Sequence, residues 1–234
     1  MTLSPNEWTA LSREIDAAAS LIRRGFVVLD DYNFAARDLE PLFVCFAGGA
    51  EKLLKLTVGL VAIDAGEPWP TTATMKKAGH KITQLDATVR RHIVERQERS
   101  TVPGLIAKLL EIADSHPGIV QSLAAFERYA DSGRFYNLDM LGGLAQTDES
   151  PSALWSELET HIVLDANPDL LDEAEAGNHD FVRATLNRVL ARSLGIWCEL
   201  IQRSWTSGVC GELAKQWSSQ LDLGHPEPPR LAGT

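Results

Sequence analysis

"AGGAEKLLKLTVGLVAIDAG", residues 47–66, is almost wholly apolar or small, yet Glu51, Lys52 and Lys55 stand near its middle. Two environments tolerate so greasy a run. One is a bilayer, where each charge near mid-span costs about 2.5–3.5 kcal/mol on insertion scales, so that three cancel most of what the leucines and valines gain. The other is the centre of a helical bundle that keeps a polar notch. The second fits better, and no membrane span is expected. From Leu42 to Ile63 the apolar residues occupy every face of a helix, as in a helix surrounded by others.

Glu51 and Lys55 are four residues apart with the glutamate first, the favourable orientation for a pair on one helix face. That face also carries Val44, Ala47, Gly48, Val58 and Ala62, so it is no solvent stripe. Two readings follow. The charges form a structural ion pair tying helices together, or they line a cleft that receives a ligand.

Outward from this rod, Ser4-Pro5-Asn6-Glu7 has the signature of a capped helix start. The helix is expected to run to Arg23-Arg24 and stop at Gly25, with "FVVLDDY" as a short extended connector. The long helix is expected over residues 33–65, kinked or restarted by Pro41 and ended by Gly66. Further helices are expected over 80–99, from Pro103 to the residues before Pro117, and over 119–133, ended by Gly133. Residues 134–151 read as a long loop with two glycines. Helices then follow from Ser152, from Pro168 to Gly177, and over 178–223 with breaks at Gly208 and Gly211. No run alternates with period two over a useful length. The expected fold is all-α: an up-and-down helical bundle with a long central helix and additional C-terminal helices. Its expected parts are a bundle core over 1–150, a C-terminal helical portion over 151–223 packed on that core, and a flexible tail over 224–234.

The chain has 234 residues, 44% hydrophobic and 23% charged, enough to bury a proper core. Its net charge of −10 argues against coating nucleic acid over the whole surface, and no DNA-specific signal is present. Cys45, Cys198 and Cys210 are far apart and include no CxxC pair, so buried free thiols in a reducing cytoplasm are expected. The N-terminus lacks the basic and apolar regions of a secretion signal. Charge is uneven. Residues 76–99 hold Lys76, Lys77, Lys81, Arg90, Arg91, Arg96 and Arg99, whereas 148–175 hold nine acids and no cation. Either two solvated faces attract each other, or the basic one meets a phosphate-bearing ligand.

Other constellations are thin. "ELETH" ending at His161 is not HExxH, and no phosphate-binding glycine loop or GxSxG occurs. "NHD" at 178–180 reads as a helix N-cap, and Trp69 in "PWP" as a loop anchor or lid. No metal or cofactor is expected.

"AEKLLKL", then "GHKITQL", then "FERYADSGRFYNLD" resemble the motifs of the HEPN (higher eukaryotes and prokaryotes nucleotide-binding) domain family. In that family a long second helix carries a pattern near A-E-x-x-L-K. A histidine opens the next helix in H-D-L-x-x-L, and a late segment reads R-Y-x-x-x-R-Y-P. The match covers residues 33–140. It aligns Glu51, Lys55, His80 with Leu85, and Arg128, Tyr129, Arg134, Phe135 and Tyr136. Lys81 stands where the family often has aspartate, and Asn137 replaces the proline. The resemblance implies an often dimeric helical bundle that binds nucleotide or RNA, or cleaves RNA through an R-x4–6-H motif. None of the six histidines has that spacing, and Lys76 before His80 lacks the arginine fork.

The reading is therefore a cytoplasmic HEPN-like protein, more a binder than an enzyme. It takes a nucleotide, an RNA segment or a partner protein in a cleft of Glu51, Lys55, His80, Arg134 and Tyr136. Lys55 and Arg134 would hold phosphate, Tyr136 would stack, and Glu51 would orient the cations. A divergent endoribonuclease using His80 with Arg134 is the alternative. A ligand-free structural bundle, dimerising along the long helix, is another.

Overall fold

The computed structural model describes residues 3–224, and among them it contains eleven α-helices and no strand. Helix α1 spans Pro5–Asp30, with the capping box of Ser4 and Glu7 in place. It does not stop at Gly25. The helical period continues through Phe26 and Leu29, which are buried, and Tyr32 follows them into the core. Gly25 serves as a close-approach position: a Cβ there would lie 2.9 Å from the Phe46 ring. The expected extended connector is therefore helix, because burial on one face outweighs the glycine's modest helix penalty.

Helix α2 spans Ala35–Asp64 as one element, with Pro41 accommodated inside it. It is the central rod. Sixteen of its 30 residues are buried, and it is flanked by α1, by α4 (Ile82–Arg96), by α6 (Pro117–Arg128) and by α11 (Glu212–Trp217). Most of its apolar residues are thus covered inside one chain, with Val44 left exposed. Gly49 lets α1 approach closely, since a Cβ there would meet Ile22 at 2.7 Å.

The short α3 (Thr72–Ala78) and a turn at Gly79-His80 lead into α4, which ends in a 3-10 turn at Gln97–Arg99. Helix α5 (Pro103–Ser115) joins α6 directly at His116. Helix α6 then passes into a π-helical turn, Tyr129–Gly133, and the segment expected to be loop contains α7, Tyr136–Leu141. Helix α8 (Pro151–His161), with its own π-helical turn, precedes α9 (Asp169–Glu175) and the long α10 (His179–Thr206). Asn178 stands at the N-cap position of α10, but its side chain donates to Glu173 Oε2 at 2.6 Å instead of capping.

Residues 151–223 share the core of the preceding helices. Phe43, Phe46, Phe126 and Trp155 stack or meet edge-on across α2, α6 and α8 at 5.4–6.2 Å. Leu221 and Leu223 are fully buried, and Arg23 of α1 donates to the Asp222 carbonyl. The rest of the expected tail, from residue 225, lies outside the described residues. All three cysteines are free and buried. Among the described residues no helix is long and apolar enough to cross a membrane.

Of the basic segment, Arg90 and Arg96 are half-buried and the other five cations are exposed. Arg90 pairs with Asp86 and Asp114, Arg96 and Arg99 both with Asp64, and Lys81 with Asp131. The acids of 148–175 instead meet Arg183 through Glu159. Asp86 is the most enclosed of these acids. Burial pushes its carboxyl up, against the pull of Arg90 and Trp197. It accepts from Arg90 Nε at 2.6 Å and from Trp197 Nε1 at 2.7 Å, joining α4 to α10. Replacing Asp86 by alanine leaves the half-buried Arg90 with Asp114 alone and the buried Trp197 indole N–H unanswered. Urea unfolding of D86A should therefore show a loss of about 3 kcal/mol, the scale for breaking a buried pair from one side. A loss below about 1 kcal/mol would mean that water reaches the pair.

Candidate functional site

Glu51 stands halfway along α2, and its two oxygens are both engaged. Oε1 accepts from Lys55 Nζ at 2.6 Å, and Oε2 lies 2.8 Å from His80 Nδ1. The Glu51 and Lys55 side chains are 18% and 22% exposed, and His80 is 54% exposed. Burial alone would push the Glu51 carboxyl up, but hydrogen bonds from His80 and Lys55 more than offset it and hold it below the ordinary glutamate range. Lys52 points the other way, to Glu14 of α1. The three charges of the central stretch thus divide, one pair fastening the α3–α4 turn and one reaching α1.

Arg134 and Tyr136 lie elsewhere. They line a cavity of about 410 Å³ between the first turns of α2, the π-helical turn, α7 and the start of α8. Neither Glu51, Lys55 nor His80 lines it. Glu40, the acid of α2 in this cavity, is eleven residues before Glu51, about 16 Å along the helix axis. The five residues expected in one cleft are therefore brought together as a group of three and a group of two.

Within the cavity, Tyr129 donates to Glu40 Oε1 at 2.6 Å. Arg134 donates through Nε to the Tyr129 hydroxyl at 3.4 Å and lies over that ring at 5.6 Å. Burial pushes the Tyr129 hydroxyl up, and Glu40 adds to it. Arg134 is exposed and makes no ion pair among the described residues; its guanidinium is braced by a phenol. Tyr136 is half-buried, with Arg128 5.8 Å over its ring. Arg128 also donates to the Glu149 carbonyl at 2.7 Å, tying the approach to α8.

The positive end of α2 borders the same space. Phe34 is the N-cap residue and makes no side-chain cap. Asp38 reaches back to the amides of Asn33 and Phe34, both at 3.0 Å. Ala35 and Ala36 line the cavity, and first-turn amides have no helical carbonyl to bond. Gly133 is required by close packing, since a Cβ there would lie 2.6 Å from the Arg128 carbonyl oxygen.

Sequence reasoning missed Glu40, the Tyr129 hydroxyl and the end of α2. Only Tyr129 carried a motif signal. Among the described residues no group of three histidine, cysteine, aspartate or glutamate side chains is placed to hold a metal. No family of known proteins, no curated protein and no solved structure matches this chain.

The lowered Glu51 carboxyl has a pH consequence. An acid whose folded pKa lies below its unfolded one adds stability above the unfolded value, and loses it as pH falls through the folded value. Urea midpoints of wild type and E51Q should thus differ most near neutral pH and converge below pH ~4, the ordinary glutamate region. A constant difference down to pH 3 would show that the carboxylate charge is not what stabilises the turn.

Proposed function

We propose that this chain is a HEPN-like binding protein whose ligand, a nucleotide or RNA segment, is held in the cavity between α2 and α7. The observation that carries the reading is Arg134: a cation that makes no ion pair among the described residues, held by the Tyr129 hydroxyl and ring, with Glu40 beyond the hydroxyl, in a concave, mixed polar and apolar space. A guanidinium fork matches phosphate bidentately. The amides of Ala35 and Ala36 add the positive end of a 30-residue helix, which favours an anion. Tyr136 offers a face for a base, and the second oxygen of Glu40 can accept from a ribose hydroxyl or an exocyclic amine. In this reading Glu51, Lys55 and His80 hold the neighbouring turn, and Lys55 no longer grips phosphate.

A second reading, a metal-independent endoribonuclease, has one observation behind it. Glu51 fixes the half-exposed His80 through Nδ1, which leaves Nε2 without a role in that contact, and Lys76 and Lys77 stand in the last turn of α3 just before it. A histidine oriented in this way is equipped for proton transfer. Arg134, its expected partner, belongs to the other group. The nuclease reading requires that purified protein cleave pooled RNA and that H80A, still folded, does not.

The binding reading is tested by a melting screen with AMP, ADP, ATP and inorganic phosphate. A ligand at 100 times its Kd should add about 2.7 kcal/mol of stability. R134A should abolish that gain while melting like wild type without ligand, and R134K should restore little of it, because lysine lacks the fork. If no nucleotide raises the wild-type melting temperature, the reading fails.

A further inference from the structure

Helix α7, like the short and more polar α3, lies outside the core. It buries none of its six residues, and no other helix packs extensively on it. Yet five of the fourteen large exposed apolar side chains among the described residues fall between 135 and 144. Phe135, Leu138 and Leu141 are spaced by three and share one face of the helix. Phe135 and Leu138 line the α2–α7 cavity although 58% and 63% exposed, and Leu141 is 85% exposed. Phe34, at the start of α2, is likewise 63% exposed.

The ends of α7 suit movement. On one side is the π-helical turn ending at Gly133; on the other are Gly142 and Gly143, the latter at φ +83°. A segment with few buried contacts opens at low cost relative to the core it hangs from. The apolar stripe and the apolar start of α2 are the two lips of one half-open cavity, and drawing them together removes both from water.

We infer that α7 is a lid that closes over the α2–α7 cavity, with Phe135 and Leu138 as ligand-contact residues, and that the ligand is a single enclosed small anion of mononucleotide size. The inference rests on reading that cavity as the ligand site. A cavity of about 410 Å³ lies at the small end of the range for enclosed organic ligands. A closed lid leaves no channel for a strand to run on, so of the two classes in the proposed function it selects the nucleotide.

Two measurements test it. The first needs no ligand. In A36C/L138C the two thiols line the cavity, one from α2 and one from α7, and the three native cysteines are buried. Mild oxidation should form an intramolecular crosslink in the folded protein within minutes if α7 closes, and none under the same conditions if it does not. The second compares AMP with an octa-adenylate strand by titration. An enclosed site should bind the octamer no more than 3-fold tighter than AMP, and L138S should weaken AMP at least 10-fold. Octamer binding more than 10-fold tighter than AMP would overturn the enclosed mononucleotide and leave the cavity as a ligand site. If neither binds, the cavity reading itself falls, and the crosslink alone decides whether α7 is a lid.

Discussion

The structure depends on how closely α1 and α2 approach. Gly49 on one helix meets Ile22 on the other, and Gly25 meets the face of Phe46, in both cases at distances no Cβ would allow. That contact sets the axis of α2 at the centre of the chain, and the remaining helices are arranged round it. Once α2 is enclosed, every polar group along it must find a partner without water. Thr57 does so by donating to Leu53 and accepting from Trp205.

The same rule accounts for the ionised residues of the rod. Lys52 reaches across to α1, Glu51 and Lys55 join the turn before α4, and Asp64 gathers Arg96, Arg99 and the Glu212 amide at the lower end. Each set ties α2 to a different neighbour. Charges that read as chemistry along the sequence are therefore largely engaged in architecture. Arg134, braced only by a phenol, differs from them, and it sits where the enclosure ends.

That end of the molecule is loosely built for identifiable reasons. The π-helical turn, the Gly133 contact with Pro151 and the Arg128 ties hold residues 128–133 and 149–151 together. Between them α7 is left with its apolar side chains in the open. The cavity lies beneath the least constrained segment, and its charged groups belong to the most constrained ones, α2 and the π-helical turn.

The sequence by itself determined the all-helical class, the central place of residues 35–64 and the pairing of Glu51 with Lys55, because these follow from periodicity and from spacing along one helix. The capping box and the buried thiols were legible for the same local reason, whereas the seat of Trp69 against Gly59 was not. Only the tertiary structure decided that α1 runs on through Gly25, that residues 136–141 are helical, and that Arg134 is grouped with Glu40 and Tyr129 rather than with Glu51 and His80. A glycine is read as a stop until a neighbouring ring is seen filling the space of its Cβ. Distances between helices depend on which faces pack, and no short stretch of sequence encodes that.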